Sequence, residues 1–216
     1  LEACRAGGSS ALVERTPLFP AAGDGALVAP AKYLSKDGSS TYVYEMRPFA
    51  GEALNTVLID SRTSSANRLE DALVRAIDDG HELLGRIPRV RVTYSQADPV
   101  VSFTDMEMPH RLFDGHIRLG THDGEAVTSE AVYRRARNSS PANAWDILQL
   151  SPDTVIFGGW DSTRRARQAR FAAVTVGEIY GVLADQDSAR PSPSKRSGAR
   201  IDPMAPSFVI SPAQAK

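Results

Sequence analysis

Cysteine is almost missing from this 216-residue chain; Cys4 is the only one. A single thiol excludes an intrachain disulfide and a thiolate-built metal site. Lysine is also scarce: Lys32, Lys36, Lys195 and Lys216 are the only four among 25 basic residues, and arginine supplies the other 21. No apolar run approaches the ~18 residues that a membrane-spanning helix requires. The opening "LEACRAGGSS" lacks a charged segment followed by an apolar one, so no secretory signal is expected and the cytoplasm is the expected location. There is no P-loop, no "GxGxxG" and no "GxSxG" elbow. The usual scaffolds for nucleotide binding and for serine-hydrolase chemistry are therefore lacking.

What is present is unevenly charged. The formal net charge is −1, yet residues 161–216 hold 9 Lys+Arg against 5 Asp+Glu, and residues 1–160 hold 16 against 21. Such a chain can present a positive groove without being basic overall. Arginine is suited to this, because its planar fork of donors matches phosphate and its face stacks on bases. A GC-rich genome would also raise the arginine content, but it would not cluster the residues. The densest cluster lies in "FGGWDSTRRARQARF" (157–171), just after a double glycine.

Along the chain, residues 1–40 are rich in Gly, Pro, Ala and Ser and read as an extended arm. "TYVYEMR" (41–47) and "LNTVLID" (54–60) read as strands of an antiparallel hairpin turning at "PFAGEA". "SSANRLEDALVRAIDDG" (64–80) is the clearest helix. Leu69, Ala72, Leu73, Ala76 and Ile77 recur at helical spacing, Ser64 or Ser65 can cap the start, and Gly80 can stop it. Asn67 and Arg68 then fall in its first turn. "RVRVTY" (89–94) and "VVSFTDM" (100–106) read as strands. "TSEAVYRRAR" (128–137) and "NAWDILQL" (143–150) read as short helices, and "TVIFG" (154–158) as a buried strand. "RFAAVTVGEIYGVLA" (170–184) fits either strand or helix. Residues 185–216 read as a flexible loop and a partial last segment. Strands outnumber helices and the βαβ alternation is missing. The expectation is an α+β domain over 41–184 with a mostly antiparallel sheet.

Several chemistries compete for this chain. His110, His116 and His122 recur every sixth residue, which places them on different faces of a helix and argues against a metal site. His110 and Arg111 read better as a polar pair. Ser162, His110 and Asp60 could nominally form a triad, but no local motif supports one. Asp60, Asp114 and Asp161 could serve a two-metal nuclease, although nothing fixes their spacing. Anion binding has the most support. Arg164, Arg165, Arg167 and Arg170 fan out after a glycine-rich turn, Trp160 offers a stacking face, and Arg134, Arg135 and Arg137 form a second cluster. An ordinary salt-bridged surface remains the competing reading, and Trp160 could equally fill the core.

Four blocks occur in order: "IDSRTSSANRLEDAL" (59–73), "MPHRLFDGHIR" (108–118), "TVIFGGWDS" (154–162) and "GARIDPM" (198–204). As a set they resemble the backbone subunit of the type I-G (formerly I-U) CRISPR surveillance complex, Cascade, in the Cas-seven group of the RAMP superfamily. Ser65, Gly115, Leu119 and Ala199 depart from that family's pattern.

The resemblance implies a modified RRM-like (ferredoxin-like) core with insertions that form a palm and a thumb. It implies a non-catalytic subunit, without cofactor or metal, stacked head to tail with copies of itself along a guide RNA (crRNA). Target DNA would pair with the guide. Other Cascade subunits and a recruited nuclease-helicase would be further partners, with no membrane involved. On this reading Ser64, Asn67 and Arg68 form a backbone-binding helix start, with Arg62 beside it. His110, Arg111 and Arg118 line the palm. Trp160, Ser162, Arg164, Arg165, Arg167 and Arg170 form a second clamp, and Arg200 joins the same surface. Asp114 and Asp161 would orient arginines. The alternative is a metal-dependent ribonuclease of RAMP type that uses Asp114 or Asp161.

Overall fold

The computed structural model describes residues 5–9, 11–34, 40–95, 97–164 and 170–187. Cys4, Arg165, Arg167, Arg200 and the fourth sequence block lie outside the described residues. Up to residue 31 the described arm has no helix or strand. It then enters β1 (Lys32–Leu34), which pairs antiparallel with β2 (Ser40–Tyr42).

The expected hairpin forms from β3 (Tyr44–Phe49) and β4 (Glu52–Asp60). Phe49 pairs with Glu52, leaving a two-residue turn in which Ala50 and Gly51 both have positive φ, 50° and 91°. That is the turn whose twist matches a right-handed ribbon. β4 is the middle strand of a three-stranded antiparallel sheet, flanked on its other edge by β11 (Ile179–Val182). The ambiguous stretch 170–184 is therefore strand rather than helix. Its other strand, β10 (Arg170–Phe171), pairs antiparallel with β9 (Gly159–Trp160).

Helix α1 (Arg62–Asp78) starts earlier than its sequence suggests. Ser61, not Ser64 or Ser65, is the cap, and its Oγ accepts from the Ser64 N–H at 3.2 Å. Asn67 and Arg68 consequently sit in the second turn. The C-terminal stop is as expected. Gly80 donates to Ile77 and His81 to Ala76, the paired bonds of a Schellman motif around a left-handed glycine. The expected apolar stripe is only partly sheltered, since Leu69 and Ala72 are exposed. The one fully buried side chain of the helix is the carboxylate of Glu70.

The main apolar core gathers Phe103, Met108, Leu112, Phe113, Ile117, Tyr133, Ala136, Ile147 and Phe171. These come from the hairpin β5 (Arg91–Tyr94) and β6 (Val101–Thr104), from Met108 and the short turn Arg111–Phe113, from α2 (Gly115–Arg118), α3 (Ala131–Asn138) and α4 (Trp145–Leu150), and from β10. A small ribbon, β7 (Thr121–His122) with β8 (Glu125–Ala126), lies between α2 and α3. No helix among the described residues is long and apolar enough to cross a membrane.

One element differs in type from its sequence reading. "TVIFG" belongs to helix α5 (Pro152–Ile156), not to a strand. A short apolar run fits either state by pattern. Here Pro152 occupies the first helical position, where its missing N–H costs nothing, and Asp153 sits at the positive end of the dipole. The strand begins only at Gly159.

Asp153 and Asp105, at the end of β6, form a buried acidic pair. The Ser151 hydroxyl donates to Asp153 Oδ1 at 2.7 Å, and the Val90 N–H reaches Asp105 Oδ1 at 3.2 Å. The other carboxylate oxygen of each has no hydrogen-bond partner. Burial, and then the neighbouring Asp153 charge, pushes the Asp105 carboxyl up to about 8. Burial also raises Asp153. An aspartate in an unfolded chain titrates near about 4. Between those two values the folded state holds a proton that the unfolded state has lost, so stability falls as pH rises through this window. The urea midpoint of the wild type should be lower at pH 8 than at pH 5. Asp105→Asn should shrink that difference, and an equally steep pH dependence in the variant would refute a proton held by the buried Asp105.

Candidate nucleic-acid interface

Arg111 organises the centre of the molecule. Its backbone is left-handed, with φ of 48°, a conformation that is uncommon for any residue other than glycine. The side chain turns inward and grips Glu70 through two bonds, Nε to Oε1 at 2.6 Å and Nη2 to Oε2 at 2.7 Å. Its Nη1 donates to the Gly158 carbonyl at 2.8 Å, and the guanidinium lies 5.8 Å from the Phe157 ring centroid. The expected His110–Arg111 polar pair therefore does not form through this guanidinium. Arg111 ties these segments together and spends its donors within the protein.

The double glycine is dictated by space. At Gly158, with φ of 91°, an added Cβ would stand 3.0 Å from both the Ala173 nitrogen and the Phe171 carbonyl oxygen. At Gly159 it would stand 2.6 Å from Thr154 Cγ2. Helix α5, β9 and β10 can pack only if both positions lack a side chain.

Between the segments that Arg111 ties together lies an open cleft of about 510 Å³. Its walls are His110 and Arg111 on one side and Gly158, Trp160, Arg170 and Ala173 among those on the other. Among the described residues no carboxylate lines it. The Arg170 guanidinium lies 4.6 Å from the Trp160 ring centroid, a cation–π stack. Trp160 is 42% exposed, so it does not fill the core. His110 and Arg170 are exposed as well.

The floor of the cleft continues toward α1. Past Ala173, the N–H groups of Val174 and Thr175 both donate to the Ile156 carbonyl. The chain then reaches Gly177, where an added Cβ would stand 2.2 Å from Ser65 Oγ. The start of α1 thus adjoins the segment that runs out of the cleft. Arg62 there leans on Glu178 at 3.2 Å, which also holds Arg47. Arg68 pairs with Asp60 at 2.6 Å yet stays 65% exposed. Partial burial would raise the Asp60 carboxyl, but the hydrogen bonds of Arg68 and Ser64 outweigh it and hold it below the ordinary range. Ser64 and Asn67 are half-buried on the same turns.

Other expected contacts lie elsewhere. Arg118 is half-buried and does not line the cleft; it sits near enough to Tyr133 to act on that phenol, which burial raises to about 12. Arg164 donates to the Arg137 carbonyl at 2.8 Å, placing a cation at the C-terminal end of α3. Ser162 is exposed in the same loop.

The two aspartates weighed for catalysis are engaged by protein donors. Asp161 accepts Arg137 Nε at 2.7 Å on one oxygen and the Thr163 N–H at 2.9 Å on the other. These bonds outweigh burial and hold its carboxyl below the usual range. It does orient an arginine. Asp114 does not; it caps α2, taking the His116 N–H at 2.9 Å and the His110 N–H at 3.2 Å. Among the described residues no three His, Cys, Asp or Glu side chains are grouped to hold a metal ion. His116 instead contacts the Tyr94 hydroxyl at 2.5 Å.

Glu70 is the functional neighbour that sequence reasoning passed over. Its place within the first block was visible, but its burial was not.

With this geometry established, comparison with known proteins places the chain. A family model described as CRISPR-associated protein GSU0053 matches residues 12–186, and the chain belongs to this CRISPR-associated family. No curated protein and no solved structure matches significantly.

Removing one partner of a buried ion pair costs about 3–5 kcal/mol, because the other charge is left without compensation. Glu70→Ala should lower the unfolding free energy by about that much in urea titration, and Glu70→Gln by less. An unchanged midpoint in both variants would show that the clasp is not a major contributor to stability.

Proposed function

We propose that this chain is a non-catalytic, crRNA-binding backbone subunit of a type I-G Cascade effector, serving antiviral defence. Membership of a CRISPR-associated family supports the setting. The observation that carries the RNA reading is the cleft, which no described carboxylate lines, with the Trp160–Arg170 stack at its mouth. A subunit that serves any guide must ignore base identity. It should neutralise phosphate, stack on a base face and leave pairing edges open to target DNA. An exposed guanidinium over an indole, with His110 opposite, has that chemistry. Arg62 and Arg68 on α1 are exposed beside their acid partners and offer further donors to a phosphate.

The core reads as an elaborated RRM-like fold. β4 leads directly into α1, and the late strand β11 returns antiparallel beside β4, as in a ferredoxin-like sheet. On this reading the β3–β4 hairpin, with exposed Met46 and Phe49 near its tip, would act as the thumb that displaces a base. Copies stacked head to tail make a heterologous contact that does not close, so the RNA sets the length of the filament. The subunit holds RNA; cleavage of the target belongs to a recruited nuclease-helicase.

Stacking on an aromatic side chain contributes about 1–3 kcal/mol per base, so Trp160→Ala with Arg170→Ala should weaken guide RNA binding about tenfold or more. Filter binding across a salt series measures it, and the slope against log salt should become shallower as a phosphate contact is lost. An unchanged affinity in the folded double variant would overturn the assignment. Cuts at regular intervals in RNA incubated with magnesium, abolished by Asp114→Ala, would replace it with a ribonuclease.

A further inference from the structure

A second, larger groove lies away from the cleft, beside β5, with a volume of about 730 Å³. All six residues from 89 to 94 line it. Side chains alternate across a strand, so six consecutive residues border one space only when the strand's edge faces it. The register agrees. Asp105 N–H bonds to the Val90 carbonyl, and Val92 and Tyr94 pair with Phe103 and Val101 in the same phase. The backbone groups of Arg91 and Thr93 therefore point away from β6 and toward the groove. The remaining walls are largely apolar, from Ile117, Val127, Val132 and Leu150. Among the described residues no strand pairs with this edge of β5, and an open strand edge above an apolar trough is the receptor geometry for an added extended segment.

The same chain carries such a segment without a seat. Residues 11–20, "ALVERTPLFP", have no helix or strand. Leu12 is fully exposed and Phe19 is 79% exposed, so this arm is not packed on its own core. Pro17 and Pro20 favour an extended backbone. Its charges match the groove in kind: the arm carries Glu14 and Arg15, and the trough carries Arg89, Arg91 and Glu130.

We propose that the groove beside β5 receives residues 11–20 of a second copy of this chain, which adds a strand to the β5 edge and buries Leu12 and Phe19. The idea rests on the reading that copies stack, but it requires no RNA. Donor and receptor lie on different parts of the surface, so each copy can give one arm and take another.

The test uses ribonuclease-treated full-length chain, so that its outcome is separate from guide binding. Thr93→Pro removes an N–H that faces the groove rather than β6 and should preserve the hairpin. Val132→Asp is a second receptor variant at an exposed position, and L12D/F19D disables the arm. Wild-type chain should associate with rising concentration in sedimentation and native mass measurements. Each variant alone should associate at least tenfold more weakly while keeping its circular dichroism. A mixture of a receptor variant with L12D/F19D should give 1:1 dimers and nothing longer, because only one intact donor and one intact receptor remain. A monomeric wild type, variants that associate as the wild type does, or folded variants whose mixture stays monomeric would each overturn the proposal.

Discussion

The grip of Arg111 on Glu70 is the contact on which the rest of this molecule depends. A guanidinium and a carboxylate are both taken out of water here, which is costly unless every donor finds an acceptor. Glu70 takes two of the donors and the Gly158 carbonyl takes a third. The left-handed backbone at residue 111 turns the side chain inward so that these bonds can form. The price is local strain, held in place by packing from three directions. α1 supplies the carboxylate, the turn after Met108 supplies the guanidinium, and the end of α5 supplies the carbonyl and the Phe157 ring. The open cleft lies between two of these three segments, so the clasp sets its width.

Three of the family-like sequence blocks meet at this point. Glu70 closes the first, Arg111 sits in the second, and Thr154, Phe157 and Gly158 lie in the third. Thr154 Oγ1 also accepts from the Leu112 N–H at 3.3 Å. Residues singled out from the chain therefore divide into two groups with different work. Arg111, read from the chain as an RNA contact, builds the scaffold together with Asp114, Asp161 and the two glycines. His110, Trp160 and Arg170 are what the scaffold displays.

The arginines divide in the same way, and the reason is the supply of partners. Arg111, Arg137 and Arg164 find carboxylates or carbonyls within the fold and are used up by them. Arg47 and Arg62 share Glu178 at the sheet edge. Arg170 has an indole beside it, and no described acid pairs with it. A near-neutral protein can thus present a cationic cleft, because acids packed near it, such as Glu70 and Asp161, are committed to other arginines. The arginine content counted from the chain overstates the number of charges available to a ligand.

Some of this was legible in the chain because it depends on neighbours in sequence. The Ala50–Gly51 hairpin turn, the Gly80 stop of α1, the antiparallel α+β character and the exposed arm follow from turn chemistry, periodicity and composition, which act over a few residues. The identity of α5 did not follow, because a five-residue apolar run suits strand or helix and Pro152 with its packing decided between them. The roles of the arginines did not follow either. Whether a guanidinium faces water or a carboxylate depends on which residues fold against it, and Glu70 lies 41 positions from Arg111. Sequence fixes the inventory of charges; only the tertiary structure pairs them, because electrostatic attraction acts through space and is indifferent to separation along the chain.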